Sequence, residues 1–202
     1  MKKILIFLYL FSCIHCFSQN SPGIEFFNQG KIKFKHKDFK EAVLYFTKAI
    51  EINHNYAEAY YNRGLAKDEL KDINEAIIDF SKAIDINPEY AEAYYCRGLD
   101  KIELQNFQGA IDDFTKAIEI KPDYSDAYTN RGAAKSELQD YKVSMEDYNK
   151  AIEINPKDEI AYKNRGIVKI YSNDKAGGCE DLKKSVELGD KEAKKLIREY
   201  CK

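Results

Sequence analysis

Residues 57–90 of the 202-residue chain read AEAYYNRGLAKDELKDINEAIIDFSKAIDINPEY. Two helical patterns sit in this stretch, with a break between them. Ala59, Tyr60, Gly64, Ala66, Lys67 and Leu70 place a first helix, and Asp72 to Asn74 read as the turn. Ala76, Ile77, Phe80, Ala83, Ile84 and Ile86 then recur at helical spacing, the mark of an amphipathic second helix. Asn87-Pro88 ends it, because proline supplies no N–H and disfavours helix in the residue before it. Gly64 and Ala83 let two backbones approach closely, and the rings of Tyr60 and Phe80 fill the space beside them.

Outward from this stretch the same text returns at a fixed step equal to its own length. Gly30, Gly64, Gly98, Gly132 and Gly166 keep the step. So do Ala49, Ala83, Ala117 and Ala151, and Phe46, Phe80, Phe114 and Tyr148, with Leu182 in the fifth slot. Pro88, Pro122 and Pro156 keep it too, flanked by His54 and Asp190. A fixed period of this length means stacked supersecondary units that bury their faces against neighbours. The copies run 23–56, 57–90, 91–124, 125–158 and 159–192. The fifth is degenerate, with Gly178 and Ser185 in its second helix, as suits a terminal copy. A last helix over 190–202, with Ala193, Leu196, Ile197 and Tyr200 on one face, caps it.

These residues resemble the tetratricopeptide repeat family over about 23–192. Tyr60, Gly64, Ala76, Phe80, Ala83 and Pro88 fit its positions 4, 8, 20, 24, 27 and 32. The departures are Arg63, Arg97, Arg131 and Arg165 at position 7 and Lys67, Lys101, Lys135 and Lys169 at position 11. The Asn-Arg-Gly run and the tail pattern resemble bacterial members, those of Bacteroidetes in particular. The resemblance implies an all-α, right-handed α-solenoid of five helix-turn-helix repeats with a C-terminal capping helix, forming one domain over 19–202.

Composition narrows the functional classes. Charges nearly balance, 32 Lys+Arg against 34 Asp+Glu, which argues against nucleic acid as a partner. The first stretch reads as an address. Lys2 and Lys3 precede an apolar run from Ile4 to Phe17, too short for the ~20 residues of a membrane span, and Cys16-Phe17-Ser18 offers a cleavage site after residue 18. Two other readings stand beside a cleaved signal: a lipobox at Leu10-Phe11-Ser12-Cys13, with lipid on Cys13 as the one membrane contact, and a retained anchor. All three export the body to the periplasm or cell surface.

By the same resemblance, positions 2, 5, 6, 9, 12 and 13 face an inner groove. Position 6 holds Asn28, Asn62, Asn130 and Asn164, interrupted by Cys96. An amide both donates and accepts, so such a row suits the backbone of an extended peptide; the alternative is a family-consensus asparagine bonded to a neighbouring helix. Position 5 holds Phe27, Tyr61 and Tyr95, then Thr129 and Lys163. These rings serve either as anchors for a ligand or as packing between repeats. Acids gather mid-wall, Glu58, Glu92 and Asp126 among them, which favours a partner with basic residues. The clamp by which some family members hold a C-terminal carboxylate is missing, since its slots hold Phe27, Lys31, Asn62, Glu92 and Cys96, and only Asn62 fits. Asp79, Asp113 and Asp147 recur at position 23 and read as inter-helix ion pairs with the Arg and Lys columns, contributing about 0–1 kcal/mol each where exposed.

Cys179 precedes Gly189 by ten residues and Cys201 follows it by twelve. In an antiparallel helix pair the two end level within ~3 Å, which predicts a disulfide; the alternative is two buried free thiols. Cys96, the remaining cysteine of the body, stays outside that disulfide. The sequence holds no catalytic or metal-binding motif in the body of the chain and calls for no cofactor. The reading is a non-enzymatic module that binds a protein or peptide, an adaptor in the cell envelope. A self-assembling spacer is the second reading.

Overall fold

The computed structural model describes residues 22–202. The signal reading over 1–18, with Cys13 and Cys16, lies outside the described residues. Among them there are eleven helices and no strand, in two compact units that divide the chain between Pro88 and Glu89. The first unit has α1 (Pro22–Lys35), α2 (Phe39–Ile52), α3 (Ala57–Glu69) and α4 (Ile73–Ile86). The second has α5 (Ala91–Glu103), α6 (Phe107–Ile120), α7 (Ser125–Glu137), α8 (Tyr141–Ile154), α9 (Glu159–Tyr171), α10 (Lys175–Leu188) and α11 (Ala193–Tyr200). Within each unit, odd and even helices pair as hairpins and each hairpin packs on the next.

The turn within each hairpin falls earlier than the sequence suggested. Helix α3 stops at Glu69 and Asn74 already lies inside α4. Lys71 sits in the left-handed region at φ 66°, its N–H donating to Asp68 O at 2.8 Å, while Asp72 N–H donates to Lys67 O at 2.9 Å. This pair of bonds closes the helix end and starts the next helix two residues on. Lys37, Gln105, Gln139 and Asn173 repeat the same geometry. None of the five is glycine, so the turn carries no sequence flag.

The first four hairpins are tight where a glycine meets a ring. A Cβ on Gly98 would lie 2.7 Å from the Phe114 ring, and one on Gly132 would lie 2.8 Å from Tyr148. In the fifth hairpin the two departures from the repeat pattern have packing roles. Gly178 brings its backbone so near α9 that a Cβ there would meet the Gly166 carbonyl oxygen at 2.6 Å. Ser185 Oγ donates to Glu159 O at 2.8 Å.

A buried carboxylate joins the two helices of four hairpins. Arg63 donates to both oxygens of Asp79, at 2.8 and 2.6 Å, and Lys67 adds a third contact at 2.9 Å. Arg97 and Lys101 hold Asp113 in this way, Arg131 and Lys135 hold Asp147, and Arg165 and Lys169 hold Asp181. Each guanidinium lies over the ring one turn earlier, 5.3 Å from the centre of Tyr60 in the second repeat. Arg63 also reaches Thr47 of the preceding hairpin, and Arg131 and Arg165 reach Thr115 and Asn149 in the same way. The inter-helix ion pairs expected from the sequence form, and they are buried ones: the carboxylates expose at most 8% of their side chains. Removing a partner therefore strands a charge in the core. In the first hairpin Gln29 and Tyr45 stand in these slots, and Lys48 lies over the rings of Phe26 and Tyr45.

At the C-terminus a disulfide joins Cys179 to Cys201 with Cα atoms 5.7 Å apart. The last helix is shorter than the expected 190–202, because Gly189 turns the chain at φ 123° and Asp190 accepts from the Glu192 and Ala193 N–H groups. In the chain-entropy picture a loop of this length contributes about 3 kcal/mol.

Two outcomes are expected. Asp113→Ala should cost about 3–5 kcal/mol in urea unfolding, well beyond the loss of a surface pair. Intact mass under oxidising conditions should be two hydrogens lighter than after reduction, and that difference should vanish in Cys179→Ser.

Candidate inner face

The asparagine column has a local job. Asn62 Nδ2 donates to Glu58 O one turn earlier at 2.7 Å, and Asn130 does the same to Asp126 O at 2.9 Å. Both bonds lie within the asparagine's own helix, not on the neighbouring helix that the alternative to peptide contact called for. The amide of Asn130 also donates to the Tyr95 hydroxyl at 3.1 Å, across from α7 to α5. Tyr95, Asp126, Thr129, Asn130, Asp158 and Ile160 surround one cleft bounded by three successive odd-numbered helices of the second unit. Asn164 opens instead on a neighbouring cleft with Ser136, Glu137 and Ile167. Asn28 is exposed on α1, while Asn62 and Tyr61 are half-buried on α3.

The rings of position 5 have partners that sequence reasoning missed. Phe27 packs on Tyr56 at 4.8 Å between centres, and Tyr95 on Tyr124 at the same distance. Both also lean on the core ring of their hairpin, Phe46 or Phe114, at 5.7 Å, and Tyr61 leans on Phe80 at 5.8 Å. Position 5 of a repeat therefore faces its position 34. Thr129 donates to Asp158 in the fourth repeat and Lys163 to Glu192 in the fifth. A paired change down two columns was the available signal.

The acids give this face its field. Burial pushes the Tyr95 phenol up to about 12, with the Asp126 charge adding to it. Tyr124 is raised further, by burial first and then by neighbours that include Glu92 and Asp126. Glu58 and Asp126 are exposed and Glu92 is half-buried. Lys163 is not a free cation: it pairs with Asp190 at 3.3 Å and Glu192 at 2.9 Å. Burial opposes ionisation of Asp190, but the backbone N–H groups of Glu192 and Ala193 and the Lys163 charge outweigh it and hold the carboxyl below its ordinary value. Cys96 is half-buried. Among the described residues no group of three or more His, Cys, Asp or Glu is placed to hold a metal ion, and no helix is long and apolar enough to cross a membrane.

Family profiles described as tetratricopeptide repeat match residues 57–90, 91–124 and 125–158, and a TPR repeat profile matches 30–68. Among solved structures, MamA is 27% identical, with 82% of this chain and 96% of MamA covered at a TM-score of 0.75. MamA from Desulfovibrio magneticus RS-1 is 20% identical, covering 84% and 96% at 0.78. YrrB, described as a TPR protein with an unusual peptide-binding site, is 20% identical, covering 88% and 92% at 0.76. At 20% identity the last two likenesses speak to the fold. No curated protein matches the chain.

The depressed Asp190 sets a pH dependence. A carboxyl lowered by folding stabilises above its unfolded value, and that contribution is lost as pH falls through its folded value. Asp190→Asn should therefore lower the thermal midpoint at neutral pH, and the gap from the unmodified protein should close as acid is added.

Proposed function

The chain belongs to the tetratricopeptide repeat family, whose members are protein–protein interaction modules, and on that premise we propose that it holds an extended peptide along its odd-numbered helices. One observation carries the reading: the cleft where α5, α7 and α9 meet gathers a phenol, an amide and an exposed carboxylate around one opening. Amides that recur at repeat spacing match donors and acceptors that recur along an extended backbone. The acids Glu58, Glu92 and Asp126 favour a partner carrying Lys or Arg. The reported peptide-binding site of YrrB supports the same use of this fold. With an exported body, as the stretch before Gln19 suggests, the role is an adaptor in the cell envelope, without catalysis or cofactor.

A second reading, the self-assembling spacer, has one observation in its favour. Gly23, Ile24, Ile52, Asn53 and Tyr56 line a cleft of about 280 Å³ beside the first hairpin, with Ile52 half exposed. A mass that rises with concentration in light scattering, with no ligand added, favours the spacer.

The peptide reading is tested with a binder selected from random phage-displayed dodecapeptides. Alanine at Asn62, Asn130 and Asn164 together should weaken it about a hundredfold, on about 1 kcal/mol per hydrogen bond lost, with helicity by circular dichroism retained. Unchanged affinity refutes the amide row.

A further inference from the structure

The ring pairs of the inner face give way to polar pairs in the fourth and fifth repeats, Thr129 on Asp158 and Lys163 on Glu192. Where the first and third repeats set a ring against a ring, Phe27 on Tyr56 and Tyr95 on Tyr124, the fourth sets a hydroxyl against a carboxylate. Thr129 and Asp158 are much smaller than two aromatic rings, and a cleft of about 150 Å³ stands beside them. Its chemistry points to one kind of occupant. The Asp158 carboxylate at its floor has both oxygens engaged: Oδ1 accepts from the N–H groups of Ile160 and Ala161, and Oδ2 accepts from Thr129 at 2.7 Å. The first turn of α9 has thus given those donors to Asp158, and they do not face an anion. Asp126 stands exposed at the side and, among the described residues, enters no salt bridge. The Tyr95 ring and the half-exposed Ile160 supply apolar walls.

Two carboxylates with an aromatic ring and an aliphatic wall suit an alkyl stem with a cationic tip. We propose that this cleft is the specificity pocket of the inner face and receives one lysine or arginine side chain of the bound segment. The assignment rests on the peptide reading above and adds where the cation is read. It also accounts for the change at the fourth repeat: a ring pair at 129 and 158 would fill the space.

The test is a second use of the random dodecapeptide selection. The unmodified protein should enrich Lys or Arg at one fixed position. In the selected peptide, replacing that residue by norleucine keeps the stem and removes the charge, and should weaken binding to the unmodified protein about tenfold. Thr129→Tyr with Asp158→Tyr restores the ring pair and places tyrosine at an N-cap, as Tyr56 and Tyr124 already stand. This variant should bind the lysine and norleucine peptides alike. Asp126→Asn keeps the space and should reduce the discrimination several-fold; it carries the test if the double variant is seen by circular dichroism to unfold. Discrimination that survives both variants overturns the pocket while leaving the groove in place. Selected peptides with no fixed Lys or Arg do the same. Failure to select any peptide removes the groove reading, and the pocket with it.

Discussion

A buried aspartate, held by arginine on two sides and lysine on a third, is the constraint on which the second to fifth hairpins depend. Asp79, Asp113, Asp147 and Asp181 each lie almost out of reach of water. A carboxylate so placed is tolerable only when fully paired, so both helices must keep their register or strand a charge. The same arginine binds the hairpin before it through Thr47, Thr115 or Asn149. One side chain therefore fixes both the angle within a hairpin and the step to its neighbour. The inner face inherits this precision. Asn62 precedes Arg63 and Asn130 precedes Arg131, so the residue that locks the helix also sets where the adjacent amide points.

Much of the fold was legible because its signals are local or strictly periodic. The glycine and ring columns, recurring once per copy, announce the hairpins before any contact is known. The Cys179–Cys201 pairing followed from helix rise and phase, since only two helices and one turn separate the thiols. The turns were less legible. Lys71, Gln105 and Gln139 take a left-handed conformation that glycine usually marks, and two backbone hydrogen bonds hold them there. Gly178 looked like decay of the pattern because its reason is the backbone of another helix. The cation columns at positions 7 and 11 were readable as pairs, but nothing in the residue types measures their burial, and burial decides what they contribute.

The inner face was legible in composition and not in pairing. Phe27 and Tyr95 read equally well as anchors or as packing until the structure set each on the tyrosine that closes its own repeat. Their packed faces make them walls of the surface. The asparagines, too, are first bonded to their own helices. What remains for a partner is an acidic, hydrogen-bonding surface on which the ring pairs give way to Thr129 with Asp158 and Lys163 with Glu192. On the peptide reading proposed above, the regular amides would grip a backbone and the cleft beside Thr129 and Asp158 would supply selectivity.

The most direct measurement is amide chemical-shift mapping of the uniformly ¹⁵N-labelled protein titrated with a selected dodecapeptide. The account predicts that shifts gather on α5, α7 and α9, around Tyr95, Asp126, Asn130 and Ile160, while α6 and α8 stay quiet. Shifts confined to the even-numbered helices, or to the apolar opening beside Ile24 and Ile52, would contradict it.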